Sequence, residues 1–406
     1  MEPDSALQRM RRWPGDGATP PGPERISLFL TNKCNLHCRH CWRNWADWDR
    51  SAASELSDDR RLRLVDEAAA MDTRHCIFLG GGEPLVRRGL MMRMLDKMAG
   101  HNITSWIHTN GTLFTPEMID ALMGKGVREV IFSVDGPDAE TNDAIRGGGF
   151  DKAVANMRYF TARKKKLSLD TPGLFLNATL TNLIHDKLDR FVELAASIGP
   201  EVKVFLSALI VEDEETARLA LSPKQKDALP DLLHKGMDRA RELDISTNFD
   251  RFLDGRIIED TMDMQRDIKP SQKIGLSGAM CYEPWLSAAI LPDGALGPCC
   301  AFFDPKSLSI RDLSLEEVWT GAYLQRVREG MFNGKPPGYC VRCPSNLFVD
   351  KERIRVVVTR GLRRDRESAA KRVISMVAQG INLLVEQGPA GFARHIRQWF
   401  RIHYKH

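Results

Sequence analysis

Six short apolar runs recur between residues 26 and 209: ISLFLT, HCIFLGG, ITSWIHTNG, EVIFSVDG, LFLNATLT and VKVFLSAL. Each has the length and the β-branched, aromatic content of a buried strand. Between them lie amphipathic stretches at 57–72, 88–99, 115–124, 150–165 and 186–198, with one more helix expected at 222–243. Strands separated by helices of this length must pair in parallel, because each crossover returns the chain to the same edge of the sheet. The fold expected is therefore α/β, and six repeats point to a partial (β/α)6 barrel rather than an open sheet, although spacing alone does not separate the two. In barrels of this kind chemistry gathers at the C-terminal strand ends. Cys34, Gly81–Pro84, Asn110-Gly111 and Ser133–Gly136 all fall there.

After about residue 255 the rhythm stops. Residues 281–345 carry five cysteines among Pro/Gly turns, and AAILPDGALGPC at 288–299 reads as a β-hairpin turning at Asp293-Gly294. Residues 13–24 are rich in Pro and Gly, as disordered segments are. Four regions result: a disordered N-terminus over 1–24, the TIM-like partial barrel over 25–245, a small α+β module over 246–350, and a basic helical tail over 351–406.

No apolar run reaches the ~18 residues of a membrane span, and the first residues lack the apolar segment of a secretory signal. A reducing cytoplasm is expected, where clustered cysteines more often hold metal than pair as disulfides. The total of nine is odd, which also fits a disulfide framework poorly.

Three of the nine cysteines stand within eight residues, in TNKCNLHCRHCW. Cys34, Cys38 and Cys41 are spaced C-x3-C-x2-C. Thiolates favour soft metals and iron–sulfur clusters. A structural zinc site wants four ligands, so zinc would need His37, His40 or a distant cysteine. A triplet with no local fourth suggests instead a cubane with one iron left open. This stretch resembles the radical S-adenosylmethionine (SAM) superfamily, whose hallmark is a C-x3-C-x-Φ-C loop after the first barrel strand; His40 takes the aromatic Φ position. Gly81-Gly82-Glu83-Pro84 is similar to the family's GGE motif for the methionyl amine. Ser133-Val134-Asp135-Gly136 falls where the family holds the carboxylate or ribose of SAM, which implicates Ser133 and Asp135. Arg146 is a candidate carboxylate partner, since guanidinium suits bidentate pairing. The resemblance covers residues 26 to about 210. It implies a [4Fe–4S] cluster on the triplet, SAM as co-substrate, and a 5′-deoxyadenosyl radical that removes hydrogen from a C–H bond.

Cys281, Gly294 and Cys299 form a C-x12-G-x4-C pattern, followed by Cys340 and Cys343 as a CxxC. The pattern resembles the opening of the SPASM domain, an auxiliary-cluster module of radical SAM enzymes. No cysteine follows Cys343, so the resemblance implies the shortened twitch arrangement: one auxiliary [4Fe–4S] cluster on Cys281, Cys299, Cys340 and Cys343. A zinc ribbon would use the same four thiolates. Cys300 is open to three readings: alternative ligand, buried thiol, or hydrogen-atom donor to a substrate radical. Cys76, within HCIFLGG, is expected in the core. A four-ligand cluster has no open iron, so its role would be electron transfer or structure.

The tail carries 13 Lys/Arg against 4 Asp/Glu over 351–406, a net +9 in a chain of net +4. Val373, Val377, Ile381, Leu384 and Val385 share one helical face, and Phe392, Ile396, Trp399 and Phe400 another. Such helices pack on the barrel, contact a membrane surface or lipid-linked substrate, or bind a partner; no nucleic-acid module is present. The leading expectation is an oxidoreductase or epimerase acting on a small-molecule, sugar-like or lipid-linked substrate, reduced by a flavodoxin or ferredoxin, in the cytoplasm or at the inner membrane face. The alternatives are a maturase of a ribosomally made peptide and a non-catalytic iron–sulfur protein.

Overall fold

The structure, a computed structural model, describes residues 21–41, 54–211, 213–253, 281–300, 307–333, 335 and 337. Cys340, Cys343, the basic tail and most of the segment expected to be disordered at the N-terminus lie outside the described residues.

The chain alternates as the apolar runs require. β1 (Arg25–Phe29) leads to α1 (Asp58–Ala70), β2 (His75–Leu79) to a 3-10 turn (Pro84–Arg87) and α2 (Arg88–Gly100), and β3 (Thr104–Thr109) to α3 (Pro116–Leu122). Then follow β4 (Val127–Ser133), α4 (Ala139–Arg146), α5 (Phe150–Leu167), β5 (Gly173–Thr179), α6 (Leu188–Ile198), β6 (Lys203–Ser207), α7 (Glu214–Leu219) and α8 (Pro223–Glu242). Side-chain caps set several helix starts: Ser57 on α1, Thr115 on α3, Asp138 on α4, Asp213 on α7 and Ser222 on α8 each accept a first-turn amide. The later region adds α9 (Glu283–Leu286), β7 (Ser287–Ile290), β8 (Leu296–Gly297), α10 (Leu315–Thr320) and α11 (Ala322–Phe332).

All eight strands form one sheet, in the order β6-β5-β4-β3-β2-β1-β7-β8. β1 to β6 pair in parallel with their sequence neighbours. The expected hairpin forms, β7 antiparallel to β8, but it does not stand apart: β7 also pairs in parallel with β1, Arg25 opposite Ser287 and Leu28 opposite Ile290. The sheet thus continues from the barrel rhythm into the cysteine-rich region.

The two faces of the sheet differ. On β2, β3 and β5 every second residue is buried and those between are half-buried. The buried set packs under the helices: Cys76, Phe78, Ile107, Val130, Phe132, Leu174, Leu176 and Leu206 are each fully buried, against Val65, Met94, Met157, Phe191 and their neighbours. Phe114, Phe132 and Phe160 form an aromatic trio with ring centroids 5.1–5.9 Å apart. Each such side chain contributes roughly 1.5–3 kcal/mol by leaving water. The opposite, concave face carries Leu79, Trp106, His108, Ser133, Phe175, Asn177, Thr179, Phe205 and Ser207, all half-buried. The concave side is therefore packed only at its β1–β7 edge, where Phe29, Ala289 and Leu291 are buried with Leu79 against them, and is mostly half-buried from β2 to β6.

Candidate functional site

The loop after β1 carries the triplet. It is pinned at several points. The Gly82 amide donates to Thr31 O (2.6 Å) and the Glu83 amide to Lys33 O (2.9 Å), and the Arg39 amide donates to Ile145 O (2.9 Å) in α4. A Cβ on Gly82 would stand 1.9 Å from the Lys33 carbonyl oxygen, so only glycine permits the β2 loop to lie against the cysteine loop. Gly147, at φ +80°, ends α4 and brings the chain under His37.

Glu83 is buried, and its carboxylate faces the end of β3. Oε1 accepts from Thr109 Oγ1 (2.6 Å) and the Leu85 amide (3.1 Å); Oε2 accepts from the Asn110 amide (2.8 Å). Burial pushes its pKa up, against the pull of those donors. The side chain of the GGE segment thus joins two strand ends, while Gly81, Gly82 and Pro84 shape the backbone around it. Asn110 continues the link, donating to Asn35 Oδ1 (2.9 Å) between Cys34 and Cys38.

Asp135 and Arg146 are also brought together. Arg146 Nη1 donates to Asp135 Oδ2 at 2.5 Å, both side chains being buried. Asp135 Oδ1 accepts from the Thr179 amide (2.6 Å), and His40 Nε2 lies 3.4 Å from Oδ2. Burial opposes the Asp135 charge, but His40, Arg146 and the Thr179 amide outweigh it and hold the carboxyl below its ordinary range. Burial likewise opposes the Arg146 charge, yet Asp135, Cys38 and Glu83 keep it more firmly protonated than usual. Burial pushes the His40 pKa down despite Asp135, and its Nδ1 is buried with no partner among the described residues. Ser133 stands half-buried on the concave face opposite Asn177, which accepts from Ser207 Oγ at 2.9 Å.

The thiols of Cys34, Cys38 and Cys41 share one loop. Burial pushes Cys38 up to about 11, Arg146 opposing and Asp135, Cys41 and Cys34 adding to the rise. Among the described residues no three Cys, His, Asp or Glu side chains stand at the spacing that holds a single metal ion. The donor set itself fits an iron–sulfur cluster: three soft sulfurs, a buried cation beside them, and coordination that would deprotonate the thiols outright.

The second cysteine group lies elsewhere. Cys281 precedes α9, and Cys299 follows β8 in line with Ser287, which pairs with Arg25 at the start of β1. Arg25 is ion-paired with Glu283 and feels the Cys300 thiol, which is exposed. Cys281, Cys299 and Cys300 are therefore at the N-terminal end of the sheet, while the triplet is at the C-terminal end. Cys76 is fully buried, as expected of a core thiol.

Buried Glu55, not anticipated from the sequence, joins the two modules. Its Oε1 accepts from Thr31 Oγ1 (2.7 Å) and the Asn32 amide (2.8 Å), while Oε2 lies 3.3 Å from Arg87 and 3.7 Å from Arg61. Arg61 Nη2 donates to Pro292 O at 3.1 Å in the β7–β8 turn. Glu55 carries no local pattern that would mark it; only the return of the hairpin against α1 gives it a role.

Comparison with known proteins agrees with this arrangement. Residues 28–216 match the Radical SAM superfamily, and residues 281–344 match SPASM, an iron-sulfur cluster-binding domain. Residues 28–216 thus carry a radical SAM domain. The chain carries a C-terminal SPASM domain, and the radical SAM domain implies SAM and a [4Fe–4S] cluster. It is 32% identical over 180 residues to the AdoMet-dependent heme synthase of Methanosarcina barkeri, covering 44% of this chain and 48% of that one. It is 32% identical over 186 residues to mycofactocin maturase MftC of Mycolicibacterium smegmatis, covering 45% and 44%. The chain thus spans about half the length of the curated relatives it matches. In fold it is similar to Streptococcus suis SuiB bound to the precursor peptide SuiA, with a TM-score of 0.57, 15% identity, and coverage of 85% of this chain and 74% of that one. No helix among the described residues is long and apolar enough to cross a membrane.

Proposed function

We propose that this protein is a radical SAM enzyme that abstracts hydrogen from a C–H bond of a substrate held on the concave face of its sheet. The observation that carries the reading is the meeting, at one end of the sheet, of the Cys34/Cys38/Cys41 loop with the Glu83 and Asp135–Arg146 clusters. A [4Fe–4S] cluster held by the three thiols supplies one-electron reduction of SAM when bound. The protein's own groups orient and enclose. Gly81–Pro84 hold the β2 loop against the cysteine loop, with Glu83 tying it to β3. Arg146 places a permanent positive charge beside Cys38 and is the natural partner of the methionyl carboxylate. Ser133 and Asn177, in register, offer hydroxyl and amide to a ribose. His40 sets its ring beside Asp135. Cys281 and Cys299, with Cys340 and Cys343, form the donor set for one auxiliary cluster, whose place at the far end of the sheet suits electron transfer more than substrate contact.

Peptide modification is the substrate reading that the relatives favour: one is named a maturase, and the SuiB fold was captured with its precursor peptide. Crosslinking or epimerisation of a ribosomally made peptide is therefore placed first. A small-molecule substrate is placed second, supported by the similarity to a heme synthase. A flavodoxin or ferredoxin would deliver the electron, and membrane contact through the basic tail belongs with a lipid-linked substrate. The test is anaerobic incubation of the reconstituted full chain with SAM and dithionite. Release of 5′-deoxyadenosine supports the enzyme; intact SAM beside an assembled, reducible cluster rejects it. With candidate peptides, loss of two mass units indicates oxidation or crosslinking, and deuterium uptake without loss indicates epimerisation.

A further inference from the structure

His108 sits on the concave face of β3, one strand repeat below Asn110 and so roughly 7 Å from the layer that meets the cysteine loop. Its nearer neighbours across the sheet are apolar. Ile131 stands opposite on β4, then Phe175 on β5; on the other side the register continues to Leu79 on β2. The ring is half-buried, and among the described residues no hydrogen bond or ion pair reaches it. The charged groups nearest in the rows are turned to other partners. Glu129, one row below, accepts from Trp106 Nε1 at 3.0 Å, and Lys203 ends the row with its ammonium 5.1 Å from the Phe175 ring centroid. Neither moves the imidazole: burial alone lowers its pKa, to about 4.

A histidine of the packed core finds a backbone or side-chain partner, because an unsatisfied buried polar group costs about 1–3 kcal/mol. His108 has instead a half-buried face in front of it and apolar neighbours beside it. We infer that His108 is the polar contact of a substrate cavity on the concave face, and that it selects an uncharged hydrogen-bonding group carried on an apolar body. An ammonium group would have to shed its water among Leu79, Ile131 and Phe175 without a counter-charge, and a carboxylate would find only the exposed Lys203 beyond Phe175, which disfavours both. An uncharged hydroxyl or amide meets a neutral ring that both donates and accepts. The inference rests on the proposed function for the reading of the concave face as the substrate site.

The experiment uses the full chain, reconstituted anaerobically and treated with diethyl pyrocarbonate at about pH 7, where an ordinary histidine is largely neutral. Modification at each histidine is followed by mass spectrometry, with solvent-facing His101 and His234 as internal standards. Three probes share one apolar body: benzyl alcohol, benzoate and benzyltrimethylammonium. His108 is expected to react, and benzyl alcohol at three times its dissociation constant slows that reaction about fourfold. Benzoate and benzyltrimethylammonium at the same concentration leave the rate unchanged. In His108→Gln, which keeps a hydrogen-bonding group but not its placement, the affinity for benzyl alcohol falls about tenfold. An unreactive His108 beside reactive His101 and His234 makes it a core histidine and overturns the inference; so does equal protection by benzoate. Formation of 5′-deoxyadenosine by the wild-type chain is measured in parallel. If it forms while His108 stays unlabelled, the cavity fails and the enzyme stands. Selective protection without 5′-deoxyadenosine keeps the cavity and removes the enzyme.

Discussion

The two cysteine groups occupy opposite ends of one sheet and are built in opposite ways. Cys34, Cys38 and Cys41 come from a single loop, and what surrounds them comes from the ends of neighbouring strands: Glu83 after β2, Asn110 after β3, Asp135 after β4 and Arg146 in the helix that follows. Cys281 and Cys299 lie before and after the β7–β8 hairpin, and share one end of the sheet only because that hairpin folds back and β7 docks on β1. The first group depends on local spacing plus barrel order; the second depends on a tertiary pairing between residues more than two hundred positions apart. A local site tolerates change elsewhere in the molecule, whereas an assembled one inherits every weakness of the hairpin.

The largest effect comes from breaking one group at a time. Cys38→Ala removes a ligand of the triplet and is expected to abolish 5′-deoxyadenosine formation, while the absorption and EPR signal of the auxiliary cluster persist. Cys281→Ala should do the reverse, losing the auxiliary signal and retaining some SAM cleavage. If Cys281→Ala also erased the triplet signal in a folded protein, the two groups would not be independent, and the contrast between them would fall.

Next in size is the Asp135–Arg146 pair. Arg146→Gln leaves a fully buried carboxylate without its guanidinium, and removing one partner of such a pair costs about 3–5 kcal/mol. Denaturant unfolding of the apo chain checks this. A loss under about 1 kcal/mol would mean that the pair is solvated and does not brace the triplet end. Lys at the same position should recover only part of the loss, since one ammonium cannot both pair with Asp135 and span toward Cys38.

How much of this was legible in advance follows the same division. The strand runs, the helices between them and the triplet are short-range patterns, and Gly81–Pro84, Asp135 and Arg146 fall where barrel order predicts. The hairpin around Asp293-Gly294 was legible from turn chemistry, but not its docking on β1, because nothing in SAAI distinguishes a strand that extends the main sheet from one in a separate module. The Glu83 carboxylate also binds Thr109 and Asn110, a partnership set by the β2–β3 register and not visible in the motif. Glu55 and His108 were invisible for a common reason. A lone polar residue gains meaning only from what the fold places around it, and those neighbours are far away in the sequence.

His108 lies between the two ends, and its protonation gives the next effect. The folded pKa of about 4 stands below the ordinary histidine value, so between the two the unfolded chain binds more protons than the native one. Stability is lost as pH falls through about 6.5 toward 4 and the loss then levels off; at pH 5 it amounts to about 2 kcal/mol relative to pH 8. His108→Gln should remove that portion of the pH dependence. An unchanged slope in the variant would place the loss on other groups and show that the ring is solvated on the concave face.

The smallest effect tests the joint between the regions. Gly294 closes the hairpin turn at φ +95°, and a Cβ there would meet Leu56 Cδ2 and Ser309 Oγ, each at 2.8 Å. Gly294→Ala is expected to cost about 1–2 kcal/mol, from the left-handed backbone together with those contacts. Its second consequence should appear at the other end of the connection. The Leu56 amide donates to Pro292 O at 2.7 Å, and the adjacent Glu55 holds Thr31 and Asn32 at the root of the cysteine loop. A shift of the turn therefore passes to the triplet through Glu55, and SAM affinity, measured by equilibrium binding, should fall about threefold, equivalent to some 0.6 kcal/mol. Stability loss with SAM affinity untouched would make the hairpin turn a structural joint alone and leave the two cysteine groups mechanically separate.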